Sequence, residues 1–419
     1  MQKLIISGGK PLRGTIEISG SKNATLPIIA ASILNDKKIT LTNIPIVKDV
    51  ETMVELLKVL GSKIKINKQK KKIHILNKKN LKTFAPYHLL RTMRAGIVVL
   101  GPLLAKFGKA KVSLPGGCAI GSRPIDLHLL ALKKMGASIK IQNGYINAKA
   151  KEGLKGCKIN FPKISVGATE NTLIAASYAF GTTTITNCAI EPEVKDLVFF
   201  LKKMGIKIKW KNKRTLIVEG TKKLKSIKYK VMFDRIEAGT FIIAAALTKS
   251  NLEIKNINLY DIKNEIKILK KIGVKIKSKE RSIIVTPSNK FYPLYIKTKP
   301  YPGFPTDLQA QVMVLMCFAK GTSIIKENIF ENRFMHVFEL NRMGANIKIY
   351  GNKAYVRGID NLNGAEVMAT DLRASVSLVL AALTIKSETI VNRVYHLDRG
   401  YEEIEKKLLN CGAEIKRVK

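Results

Sequence analysis

The chain is short of carboxylates. Its 419 residues hold 31 Asp and Glu against 74 Lys and Arg, a formal net charge of +43. It has one tryptophan and five cysteines. Cys118, Cys157, Cys188, Cys317 and Cys411 are scattered, odd in number and never spaced C-x-x-C. That excludes a disulfide framework and argues against a zinc site. The histidines His74, His88, His128, His336 and His396 are equally dispersed, and none forms H-E-x-x-H. No tightly bound metal and no cofactor are expected. Long apolar runs are missing too: AGIVVLGPLLA (95–105) is too short to span a bilayer and contains Gly and Pro. The opening MQKLIISGGK has no secretory apolar region. A soluble, unexported, cytoplasmic protein without a membrane partner is therefore expected. No G-x-G-x-x-G follows a strand-like run, which excludes a dinucleotide-binding Rossmann unit.

What is plentiful is lysine, and its placement matters more than its number. In KIKINKQKKKIHIL (63–76) and IKIKWKNKRTLIV (206–218) lysines tend to alternate with Ile, Leu or Trp. Period-2 alternation places apolar residues on a buried sheet face and lysines on a solvated one. Lysines spread in this way over many strands do not gather into one stripe. Nucleic-acid binding is therefore not expected, although the positive field would help attract anionic substrates.

A repeat sets the architecture. The segments VLGSKIKI (59–66), KMGASIKI (134–141), KMGIKIKW (203–210), KIGVKIKS (271–278), RMGANIKI (342–349) and NCGAEIKR (410–417) end six similar units. Their glycines Gly61, Gly136, Gly205, Gly273, Gly344 and Gly412 recur at spacings of 68 to 75 residues. Each reads as a helix stop in the left-handed conformation, followed by a strand. Each unit also holds a nearly apolar helical segment: 24–34, 94–105, 171–181, 238–248, 308–319 and 372–383. A helix apolar all round is buried. Their starts are polar, at Lys22 and Asn23, Arg94, Glu170, Glu237, Asp307 and Asp371. Functional groups are therefore expected at helix N-termini, where free N–H groups and the dipole favour anions. The predicted fold is α/β: two domains of three units each, an inside-out α/β barrel with helices within and sheets without.

Five segments carry candidate chemistry. Lys22 sits in SGSKNATLP (19–27), a small-residue turn opening a buried helix. It either meets an anion there or is a surface lysine beside a capped helix. The loop VSLPGGCAIGSRPIDLH (112–128) surrounds Cys118 with Gly116, Gly117 and Gly121, and Arg123 follows. Glycines of this kind suit a lid. A thiol beside cations acquires a lowered pKa and reacts as acid, base or nucleophile. The other four cysteines read as small buried hydrophobes. In YPGFPTDLQAQ (301–311), Asp307 heads a buried helix, either capping it or taking a proton from a substrate hydroxyl. ATDLRAS (369–375) repeats the pattern with Asp371 and Arg373, and YHLDRGYE (395–402) offers Arg399. These groups either grip a carboxylate or phosphate or form local ion pairs.

These segments, with TMRAGIVVLGPLLAKFG, SVGATEN and IFENRFMHVFELNRMGA, resemble those of the UDP-N-acetylglucosamine 1-carboxyvinyltransferases. The match runs in order along essentially the whole chain. The cysteine loop separates it from the sister enolpyruvylshikimate phosphate synthases, which share the six-unit fold. The resemblance implies domains of residues 22–232 and of 1–21 with 233–419. It implies that phosphoenolpyruvate meets Lys22, Asn23, Arg123 and Arg399. Arg94 and the segment Arg123, Pro124, Ile125, Asp126, Leu127 would meet the uridine nucleotide, with Lys163, Ser165, Val166 and Gly167 nearby. Asp307 and Ile329 would hold the amino sugar. Cys118 would protonate phosphoenolpyruvate and form an adduct with it, and Asp307 would be the general base. A shikimate-type acceptor, or a nucleic-acid-binding scaffold on the same fold, are the alternatives. The charge of +43 exceeds what the resemblance leads one to expect, but no matched position is lost.

Overall fold

The computed structural model of the protein describes residues 2–116, Gly121 and 124–418. Cys118 and Arg123, two of the expected site residues, lie outside the described residues. The rest forms six four-stranded sheets with helices between them. Each sheet has the same plan. An edge strand runs parallel to its neighbour, and the remaining two pairings are antiparallel. In one sheet, for example, 158–160 pairs parallel with 182–186, which pairs antiparallel with 215–219, which pairs with 207–212.

The chain builds five units in one order: edge strand, buried helix, strand, amphipathic helix, two strands; the last supplies only 414–418 after its second helical region, and 3–7 stands in for the other strand. The six marker glycines all have positive φ, from 89° at Gly412 to 109° at Gly61 and Gly273. Around each, two backbone bonds close the preceding helix. Ser62 N donates to Leu57 O at 2.9 Å and Gly61 N to Lys58 O at 2.9 Å, and the same pair recurs at the other five. This is the Schellman arrangement, in which a left-handed residue lets the chain turn back on its last carbonyls.

The apolar helices are buried as their composition requires. Every residue of Arg235–Leu247, Gln309–Met316 and Leu372–Ala382 is buried. One segment differs from the simple helical reading. Residues Arg94–Val99 form a 3-10 helix, and only Leu100–Phe107 is α-helical. Pro102 explains the change: it has no N–H to offer Val98, so it belongs in the first turn of an α-helix and not its interior.

The lysine strands behave as their alternation predicts. In Lys63–Asn67 and Lys207–Asn212 the lysines are exposed, while Ile64, Ile66, Ile208 and Trp210 turn inward to varying degrees.

The chain divides into two compact units, one of residues 2–19, Gly121 and 233–418, the other of 20–116 and 124–232. The first takes strand Lys3–Ser7 between 388–392 and 414–418, and strand Arg13–Glu17 beside 251–255. The second is closed from within, since Ile227–Lys230 pairs with Ile39–Thr42. No helix among the described residues is long and apolar enough to cross a membrane.

Candidate active site

In the unit of residues 20–232, helix starts gather the expected residues. Ser21 caps the helix Lys22–Ala31: its hydroxyl accepts from Ala24 N at 3.3 Å. Its own N–H donates to Met232 O at 2.8 Å. Lys22 is thereby fixed at the first helical position with Asn23 after it. Its Nζ lies 3.3 Å from Oδ2 of Asp49, in the first turn of Lys48–Leu60. Both side chains are largely buried, so this ion pair is better insulated than a surface one.

Three further segments converge on His128. Its Nδ1 accepts from the Asn171 amide at 3.1 Å, and Asn171 Oδ1 accepts from Gly101 N at 2.8 Å. His128 belongs to the helix Asp126–Lys134, and Asn171 to Val166–Ala176. A Cβ on Gly167 would stand 3.3 Å from the imidazole, so glycine lets that helix start against the ring. Burial pushes the His128 pKa down to about 4. The Arg94 charge adds to this, and Asp126 opposes it. Arg94, Asp126 and Gly167 are thus brought together around a neutral imidazole. Ser165 caps its helix through Ala168 N. Pro124, Asp126, Lys163 and Val166 are exposed and Ile125 is half-buried, whereas the Leu127 side chain packs in the core. At the edge of the glycine-rich loop, Gly116 is pressed on Arg91: a Cβ would come 2.3 Å from its carbonyl oxygen. Gly121 has φ of 143°, a conformation that favours glycine.

In the other unit the centre is Asp307, within the 3-10 turn Thr306–Leu308 that precedes the buried helix Gln309–Met316. Arg333 Nη2 donates to its Oδ1 and Arg373 Nη2 to its Oδ2, each at 2.9 Å. Arg333 and Arg373 are 4% exposed, so their charges have little water to turn to. Burial alone would lower the Arg373 pKa. Asp307, Tyr401 and Asp234 outweigh it and hold the guanidinium above its ordinary value. Two guanidiniums on one carboxylate favour its ionised form.

Asp371 caps the helix Leu372–Ala382, accepting from Arg373 N at 2.8 Å and Ala374 N at 3.2 Å. Arg373 therefore pairs with Asp307, not with Asp371 beside it in sequence. Arg399 ends the short helix Tyr395–Asp398. With burial, its charge lowers the His396 pKa. Ile329 is held by Glu327, whose Oε1 accepts from Ile329 N at 2.7 Å. Oε2 of the same carboxylate accepts from Thr306 Oγ1 at 2.9 Å. Glu327 thus ties the residue before Asp307 to the Ile329 segment.

Several of these residues had no signal of their own in the sequence. Arg333 stands in IFENRFMHVF and His128 in PIDLH, inside segments already marked, but neither had a neighbour to suggest its role. Asn171 likewise ends SVGATEN without a sign of its partners, and Glu327 and Asp49 lie outside the marked pattern. Of the four cysteines read as buried hydrophobes, Cys188, Cys317 and Cys411 are buried and Cys157 only partly so. Burial pushes the thiols of Cys188 and Cys317 up to about 12, which leaves them inert.

Comparison with known proteins adds the following. The family model for EPSP synthase (3-phosphoshikimate 1-carboxyvinyltransferase) matches residues 6–408. A UDP-N-acetylglucosamine 1-carboxyvinyltransferase of Pelagibacter ubique (strain HTCC1062) is 62% identical over 418 residues, covering 100% of both chains. Its counterpart in Rickettsia akari (strain Hartford) is 54% identical over 420 residues, again across 100% of both. Among solved structures, the enolpyruvyl transferase NikO from Streptomyces tendae superposes with a TM-score of 0.91 at 23% identity, covering 100% of this chain and 99% of that one. An EPSP synthase from Acinetobacter baumannii gives 0.78 at 16% identity over 100% of both. At those identities the two structures speak for the fold.

Proposed function

Because the chain belongs to the EPSP synthase (3-phosphoshikimate 1-carboxyvinyltransferase) family and, within it, to the UDP-N-acetylglucosamine 1-carboxyvinyltransferases, we propose that it transfers the enolpyruvyl group of phosphoenolpyruvate to the 3-hydroxyl of UDP-N-acetylglucosamine. The reaction is the first committed step of peptidoglycan precursor synthesis, carried out in the cytoplasm. The observation that carries the chemistry is Asp307, a carboxylate at a helix head held on both oxygens by buried arginines.

In this reading the sugar oxygen forms a bond to C2 of phosphoenolpyruvate and gives its proton to Asp307. C3 takes a proton from the Cys118 thiol. The tetrahedral adduct then returns a proton from C3 to the Cys118 thiolate and breaks its C2–O bond to phosphate, which leaves as the double bond is restored. Lys22, Asn23, Arg123 and Arg399 receive the phosphate and carboxylate of phosphoenolpyruvate, and their fixed charges stabilise the charge that moves during transfer. Arg94, residues 123–127, Lys163 and Ser165 to Gly167 receive the uridine nucleotide. The convergence of Arg94, Asp126 and Gly167 around His128, with Ser165 capping the Gly167 helix, supports one shared subsite. Ile329 and Asp307 hold the amino sugar, which their common tie to Glu327 supports. Asp371 and Arg373 complete the anionic and cationic lining. The domains of this reading, 22–232 and 1–21 with 233–419, are supported by the compact units.

Phosphate release from phosphoenolpyruvate is measured with UDP-N-acetylglucosamine and, separately, with shikimate 3-phosphate. Release with the nucleotide sugar is expected. Release with shikimate 3-phosphate alone would overturn the proposal, and tight salt-sensitive nucleic-acid binding without any turnover would do the same.

A further inference from the structure

Behind Asp307 lies a buried polar cluster that the reaction scheme above does not use. Arg373 Nη2 reaches the Asp307 carboxylate, while its Nη1 donates to Tyr401 Oη at 3.1 Å. Tyr401 Oη stands 2.9 Å from Thr240 Oγ1 and accepts from Gln311 Nε2 at 3.2 Å. Gln311 Nε2 also faces the Asp307 main-chain oxygen at 2.9 Å and Thr240 Oγ1 at 3.3 Å. Thr240 Oγ1 donates to Ile236 O at 2.8 Å.

The proton positions in this cluster follow from chemistry. A guanidinium only donates and a carbonyl oxygen only accepts. Tyr401 therefore accepts from Arg373. Thr240 has spent its own proton on Ile236 O, so the bond between the hydroxyls runs from Tyr401 to Thr240. The amide nitrogen of Gln311, not its oxygen, faces the Asp307 carbonyl. The bonds from Arg373 to Tyr401, from Tyr401 to Thr240 and from Thr240 to Ile236 each have one direction, and Tyr401 is the residue through which Arg373 is joined to the helix Arg235–Leu247. Tyr401 is 2% exposed and cannot exchange these partners for water.

We propose that Tyr401 is a positioning residue for the transfer reaction, acting through Arg373 to set how tightly the Asp307 carboxylate is held. Arg373 divides its hydrogen bonds between a neutral phenol and a carboxylate. Without the phenol oxygen, the guanidinium keeps its hydrogen bond to Asp307 and the attraction of Asp234. A carboxylate bound more tightly to a guanidinium gives up its negative charge less readily and is a weaker base. The charged and titratable groups around the cluster are Arg333 on the other Asp307 oxygen, Asp234 at the head of Arg235–Leu247, Asp371 at the head of Leu372–Ala382, and His336, whose pKa burial lowers while Asp371 raises it and Arg333 lowers it further. The inference rests on the reading that Asp307 accepts the substrate proton.

The test uses the full-length protein and the variants Tyr401→Phe and Thr240→Val. For Tyr401→Phe, kcat for phosphate release should fall about tenfold or more, as expected for a weakened general base. KM for both substrates should stay within about twofold, and the acid limb of kcat against pH should move to lower pH. A role in structure alone would not move that limb. Thr240→Val keeps the phenol but removes its proton acceptor, and should move the limb the same way by less. It serves as the test if Tyr401→Phe does not fold. An unmoved limb, or a rise in KM with kcat unaltered, would overturn the proposal. A second readout is independent of turnover: the 13C NMR titration of the Asp307 carboxyl, assigned by its loss in Asp307→Asn. Its midpoint should fall in Tyr401→Phe, and an unchanged midpoint would overturn the proposal. Wild-type protein that released no phosphate would sink the proposed function, while the carboxyl titration would still judge Tyr401.

Discussion

At the scale of single residues, two groups make the sharpest claims. Asp307 is held open on both oxygens by Arg333 and Arg373. Asp307→Asn keeps the shape but removes the base, and kcat should drop roughly 10²- to 10⁴-fold with little change in KM; steady-state phosphate release measures it. His128 makes a claim about pH. Burial and Arg94 depress its pKa to about 4 in the fold, against an ordinary value of 6.5. Between those values the unfolded chain binds a proton that the folded chain refuses. The stability that His128 supports is therefore complete above pH 6.5 and is lost as pH falls toward 4, roughly 2 kcal/mol by pH 5. Urea melts at pH 7 and pH 5 should show this loss, and His128→Asn should show less of it. Asp307 was legible from its place at a helix head. His128 was not, because its neutrality comes from residues of two other helices that only the fold brings near.

At the scale of elements, the helix stops carry the repeat. Gly136 has φ of 99°, and nothing lies within 4 Å of where its Cβ would stand. Gly136→Ala should therefore cost backbone strain alone, about 1 kcal/mol, seen as a Tm lower by a few degrees. Gly358 is a different case. Its Cβ would come 1.7 Å from Ala319 O, where the strand Lys353–Arg357 ends against the turn that follows the buried helix Gln309–Met316. Gly358→Ala should be far more damaging and leave little folded protein in the same melt. The marker glycines were visible in the sequence because they recur before a strand. Gly358 has no such pattern, since its need comes from a carbonyl contributed by a distant turn. The 3-10 start at Arg94 was likewise hidden in a run that is helical by composition, although Pro102 shows where the α-helix had to begin.

At the scale of the whole molecule, one unit draws all its strands from a single stretch of chain and the other draws them from two. Residues 20–232 contain every strand of their three sheets, closed by the pairing of 227–230 with 39–42. This fragment should fold alone and show a cooperative thermal transition. Removing residues 1–19 takes a strand from each of two sheets in the other unit, so that unit should lose its transition in the truncated chain. Net charge acts at the same scale. A charge of +43 repels itself in the compact state, and salt screens it. Tm should rise between 10 mM and 200 mM NaCl; a flat response would mean that the lysines are already well separated.

The six units, their buried helices, the outward lysines and the helix-head residues Lys22, Arg94, Asp307 and Asp371 were all determined by the sequence alone. Each depends on local periodicity, composition or backbone chemistry that a linear chain displays. Which charges meet was decided by the tertiary structure. Asp307 has two arginines within reach only because segments near residues 307, 333 and 373 fold onto one another. Tyr401 reaches Arg373, Thr240 and Gln311 for the same reason. Hydrogen bonds and ion pairs act over about 3 Å, so partners far apart in sequence become chemistry only when the packed core sets them side by side.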